Sequence, residues 1–181
     1  NEYAKWLQDH PPMLWGSRFA LLLAFGLHSI NSLSLWLRNR KARPIGYQVK
    51  KDLVTSVSAK TMVYGGIFLA LYLVYHLAHL TFGVSAGLGY QHLPLDAAGL
   101  PDVYFNVVSS FRVPWAAGLY SAAMVVLGLH LYHGAWSVFH TLGINHERYN
   151  DGLRSAASAV ALAIVAGFLA VPVGVFMGLV R

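Results

Sequence analysis

The 181-residue chain contains no cysteine. Its residues therefore cannot form disulfides, thiolate zinc sites, cysteine-held iron–sulfur clusters or c-type haem attachments. Histidine, present nine times, is left as the residue on which a metal would hang. Charge is also scarce, at 11% of residues against 56% hydrophobic, with a mean hydropathy of +0.51. A soluble globule carries about 25% charged residues, so this chain has too little polar surface to live in water and belongs in a bilayer. The excess of basic over acidic residues, +6 in all, is not a nucleic-acid footprint. Seven of the thirteen Lys and Arg fall between Arg38 and Lys60, flanked by apolar runs, which is the signature of a cytoplasmic loop.

Four apolar segments stand out, about Met13–Leu37, Thr61–Gly83, Pro114–Leu142 and Ser155–Val180. Each reaches the roughly 20 residues that a helix needs to cross the hydrocarbon. The expected architecture is an all-α integral membrane bundle, one membrane domain over residues 1–181 with four transmembrane helices. The connections after the first and third segments carry the basic residues and face the cytoplasm; the connection after the second faces outward, as do residues 1–12. A short surface helix is expected near Pro101–Ser110.

Histidines inside apolar segments must find partners or cost free energy. The first and third segments run from outside to inside. His28, nine residues before Leu37, and His130, ten to twelve residues before the inner end of its segment, therefore reach similar depths at about 1.5 Å per residue. His76 lies on an oppositely directed segment with seven residues left before Gly83, which puts it in the outer half, apart from the other two. Two imidazoles at one depth on two helices are what a six-coordinate b-type haem requires, with small residues beside them to admit the porphyrin. Ala24, Gly26, Ser29 and Ser32 flank His28, and Gly128 and Gly134 flank His130, whereas His76 has Tyr72, Tyr75 and His79 as bulkier neighbours. His79 and His133 stand about 60° around their helices from His76 and His130 and read as supporting or propionate-binding groups. His10, His92, His140 and His146 read as solvated surface residues.

At this point the sequence resembles a known family. "HLYHGAWSVFHTLGINHERY" (His130–Tyr149), "LHSINSLSLWLRNRKARPIGYQVK" (Leu27–Lys50) and "YLVYHLAHL" (Tyr72–Leu80) resemble the fourth helix, the second helix with its basic loop, and the third helix of a cytochrome b. That cytochrome b is the membrane anchor of succinate dehydrogenases and fumarate reductases, of the type with one large anchor polypeptide and two haems. The resemblance implies that His130, in H-x-x-x-G-x-W with Gly134 and Trp136, pairs with His28 on the inner haem, and that His76 ligates the outer one. The family has five helices, and its first supplies the outer haem's other ligand. This chain begins with "NEYAKWLQDH", similar to the family's connection between helices one and two, and with Asn rather than Met. An N-terminal helix carrying the histidine that pairs with His76 is accordingly expected upstream.

The resemblance further implies a flavoprotein subunit and an iron–sulfur subunit docked on the cytoplasmic face, around Arg38–Lys51 and Asn145–Arg154. Electrons would pass between succinate or fumarate and a membrane quinone, menaquinone or ubiquinone, in the cell inner membrane. No dehydrogenase active site is expected in this chain, because the glycines of "YGGIF" lie within a helix rather than in a phosphate-binding turn. Glu2, Asp9, His10 and Asp96 are outward candidates for quinone protonation, without a pattern that selects among them. Two other readings stand beside this one: a haem b anchor of a hydrogenase or formate dehydrogenase, a class that also has four helices and buried histidines but that the His130–Tyr149 stretch fits poorly, and a transporter or channel that uses histidines as proton relays and would show no Soret absorption.

Overall fold

The computed structural model describes residues 2–42, 45, 56–84, 95, 96 and 99–180; His92 and, from the basic connection, Arg43, Lys50 and Lys51 lie outside the described residues. The protein is all-α, with helices α1 Glu2–Gln8, α2 Pro11–Ala42, α3 Val57–His76, α4 Val103–Phe111, α5 Pro114–Thr141 and α6 Glu147–Phe176. A π-helical turn, Leu77–Thr81, continues α3. Four of these helices, α2, α3 with its π turn, α5 and α6, are long and apolar enough to cross a membrane, which makes this a multi-pass membrane protein. The short helix expected near Pro101–Ser110 is α4. It begins at Asp102, whose carboxylate accepts the Phe105 N–H at 2.9 Å as helix N-caps do.

The apolar segments and the helices do not end together. α2 runs two residues earlier and five later than Met13–Leu37, and α6 begins eight residues before Ser155 and ends at Phe176. Hydropathy measures the part that sits in hydrocarbon, whereas a helix ends where its caps are. For α6 the cap is His146, whose Nδ1 accepts the Arg148 N–H at 3.1 Å, and Asn150 closes the same turn by accepting the His146 N–H, also at 3.1 Å. α5 ends at Thr141, and two residues on, at Gly143, φ is +75°. The Ile144 N–H then reaches back to the Phe139 carbonyl at 2.8 Å, the six-to-one bond of a Schellman ending that a β-carbon at Gly143 would strain.

The chain divides into two compact units, Asn1–Val54 and Thr55–Arg181. The first holds α1 and α2. At 32 residues α2 is about 48 Å long, and no residue along it is buried. Arg18 and Arg40 lie over the rings of Trp15 and Trp36, at 5.1 and 4.9 Å. In the second unit, α5 packs between α3 and α6, and α4 rests on α5 and α6. Its core joins Val108 and Phe111 of α4 to Tyr120 of α5 and Val175 of α6, with Tyr72, Tyr75 and Leu80 packed against them.

Candidate functional site

α3 and α5 are antiparallel, and their side-chain contacts fix the register. A β-carbon on Gly65 would lie 3.3 Å from Val126 Cγ1, and one on Gly66 would lie 3.6 Å from His130 Cε1. Further along, Tyr72 meets Tyr120 edge-on at 5.2 Å between ring centroids, and Tyr75 meets Trp115 at 6.4 Å. His130 is therefore level with Gly66, and His76 is level with the Tyr120 region, where their rings are 5.8 Å apart. Ten residues of helix separate Gly66 from His76, about 15 Å of rise. The two histidines occupy different levels of one helix pair, as the opposed directions of their segments implied.

At the first level, the half-buried His130 lines a groove of about 300 Å³ with Thr61, Met62, Tyr64, Phe68 and Leu129. The glycine pair on α3 brings that helix close on one side of the imidazole. One turn further along α5, a β-carbon on Gly134 would meet nothing within 4 Å. His28 lies on α2, in the other unit, with equally open space at Gly26.

The tryptophans supply a depth scale for each helix separately. Trp15 and Trp36 on α2 are 21 residues apart, as are Trp115 and Trp136 on α5. That interval is about 31 Å of helix, close to the hydrocarbon thickness of about 30 Å whose two borders indole rings favour. His28 is eight residues, about 12 Å, before Trp36, and His130 is six residues, about 9 Å, before Trp136.

At the second level, His76 sits among aromatic rings, with Tyr72 at 5.9 Å. Its Nδ1 is buried without a hydrogen-bond partner among the described residues, as is the Tyr75 hydroxyl. An imidazole in that condition retains the capacity to bind a ligand. His79 is wholly buried, at 0% exposure, and shares a 3.0 Å hydrogen bond between its Nδ1 and the Tyr120 hydroxyl. The π turn begins immediately after His76 and contains His79, so the 60° offset of ideal α-helical spacing does not hold here. Such turns are inserted at single points, frequently functional ones.

Tyr120 and Asn106 escaped the sequence reading. Tyr120 meets Tyr72, Tyr75, His76, His79 and Phe111, although its local sequence, "AAGLYSAAM", marks it as a tyrosine among small residues and nothing more. Asn106 is 1% exposed, and neither Oδ1 nor Nδ2 has a partner among the described residues. A polar residue within the apolar run of α4 was the available signal. Among the described residues no three His, Asp or Glu side chains converge on a metal position. A haem between two helices asks only for one imidazole on each side of its iron. No family model matches the chain, and none of the curated proteins or solved structures does.

Proposed function

We propose that this chain is the haem b-carrying membrane anchor of a succinate:quinone oxidoreductase, passing electrons between an iron–sulfur subunit and a membrane quinone. The observation that carries the proposal is the pair of histidine levels about 15 Å apart on α3 and α5, together with the positions of His28 and His130, about 12 and 9 Å before the tryptophan at the same end of each helix. His28 and His130 would hold one haem b, His76 would hold a second from one side, and the open face at Gly134 fits a flat macrocycle. Bound haem b supplies one-electron transfer.

The chain's own residues orient and exclude. Phe68, Met62 and Leu129 keep water from the His130 imidazole, and the Tyr120 hydroxyl holds His79 beside the His76 level. The basic residues that follow α2, with Arg148 in the Asn145–Arg154 stretch, suit docking of the iron–sulfur and flavoprotein subunits on the cytoplasmic face of the inner membrane. Succinate chemistry belongs to those partners, and the quinone, menaquinone or ubiquinone, comes from the bilayer.

The test is a reduced-minus-oxidised spectrum of the purified protein with a haem count. A b-type spectrum is expected, with His28→Ala and His130→Ala each removing the same haem. A protein without Soret absorption would defeat the proposal and favour histidine proton relays; loss of different haems in the two variants would defeat the pairing.

A further inference from the structure

α5 and α6 are in close contact at Gly128, where a β-carbon would stand 2.8 Å from Val165 Cγ2. To one side of that contact the helices part into a groove of about 380 Å³. Gly128, Ser158 and Ala161 give it no bulk, and Val125, Leu129 and Leu162 border it. Ser158 adds little polarity, because its hydroxyl donates to the Arg154 carbonyl at 2.9 Å. From Val125 to Tyr132 the groove follows seven residues of α5, about 10 Å, the shape of a slot for an extended hydrocarbon chain.

One turn beyond the groove stands a charged group. The Arg154 guanidinium lies over the Trp136 ring, 4.7 Å from its centroid, at the border position that Trp136 marks on α5. Arg154 makes no ion pair among the described residues, although Asp151 lies one turn away on the same helix. An apolar slot that ends at an unpaired cation on the membrane border matches the two parts of a lipid, a chain and a phosphate. The indole face that would attract a choline group is already covered by the guanidinium, which disfavours zwitterionic headgroups of that kind. The groove residues are centred about 150° around α5 from His130 at 100° per residue, and Leu129 is the α5 residue that borders both this groove and the one at His130.

We propose that the α5–α6 groove seats one acyl chain of an anionic glycerophospholipid whose phosphate is held by Arg154 on its Trp136 platform. Native mass spectrometry of the purified full chain, titrated with phosphatidylglycerol and phosphatidylcholine of identical chains, tests it. Wild type should carry phosphatidylglycerol about fivefold more than phosphatidylcholine, the effect of one interfacial cation. Arg154→Gln should equalise the two lipids, while Arg148→Gln, nearer the start of α6 and outside the groove, should leave the preference intact. Ser158→Leu, which fills the groove, should lower the occupancy of both lipids; Leu162→Trp, at its exposed border, serves the same purpose if the first variant fails to fold. Equal binding of the two lipids by wild type, or an Arg154→Gln protein that keeps its preference, overturns the proposal. So does an Arg148→Gln protein that loses the preference equally, which would mean a diffuse basic surface, or groove-filling variants with unchanged occupancy.

Discussion

Gly128 is the position where the packing of this protein can be tested most sharply. The β-carbon of Gly128→Ala would stand 2.8 Å from Val165 Cγ2 and 3.9 Å from Val165 Cβ. Unstrained carbon contacts are about 3.5–4.0 Å, so the first approach is short by about 0.7–1.2 Å. Valine cannot easily turn away, because a β-branched side chain on a helix holds one χ1 rotamer about 90% of the time. The strain must therefore go into separating α5 from α6. Overpacking of this kind costs about 1–3 kcal/mol, which exceeds the gain of about 1 kcal/mol that alanine brings over glycine within a helix. Gly167→Ala, on α6, is the internal control: nothing lies within 4 Å of its new β-carbon, so it should be neutral or stabilise by up to about 1 kcal/mol. Unfolding of the purified protein by dodecyl sulfate in mixed micelles gives the comparison. Val165→Ala, which deletes Cγ2, should restore most of the Gly128→Ala loss in the double variant. A Gly128→Ala protein as stable as Gly167→Ala, or one that Val165→Ala fails to rescue, would refute the close-contact reasoning.

Tyr120→Phe removes the hydroxyl that His79 bonds at 3.0 Å; the loss should be about 1–3 kcal/mol in the same unfolding assay, because the imidazole it leaves is wholly buried. A loss below about 0.5 kcal/mol would show that the bond contributes nothing net. Gly134→Leu should leave the haem-free protein as stable as before or up to about 1 kcal/mol more so, since a β-carbon there meets nothing within 4 Å, yet lower the haem content measured by pyridine haemochrome. Unchanged haem content would mean that the macrocycle does not pass Gly134.

The membrane class and the number of crossings were legible because they depend on long apolar runs, which bilayer thickness forces into the sequence itself. The separation of His76 from His130 was legible for a similar reason, since rise per residue and alternating direction are enough to estimate depth. The ends of α6 were not, because its cap is His146, which read as a solvated histidine. It is exposed and nonetheless accepts the Arg148 N–H. The π turn at "LAHLT" also left no mark, since none of those residues is a breaker. The partner of His79 lies 41 residues away, beyond the reach of any helical periodicity.

The α3–α5 pair is held at its two ends by different physics, and this is what makes the histidine levels definite. At one end glycines let the backbones close in, with Gly65 against Val126 and Gly66 against His130. Such contacts depend on shape and are common where lipid removes the hydrophobic drive between helices. At the other end, bulk and polarity decide. Tyr72, Tyr75 and Phe111 set their edges against Tyr120, and the His79 bond adds a direction. Sliding α3 by one turn, about 5.4 Å, would bring larger side chains than glycine against Val126 and His130 and would strip His79 of its hydroxyl in a medium that offers no water to replace it. Because the two ends oppose a slip for independent reasons, loss of the hydroxyl in Tyr120→Phe weakens the pair without releasing its register. The interval of about 15 Å between the levels of His130 and His76 then follows from helix geometry.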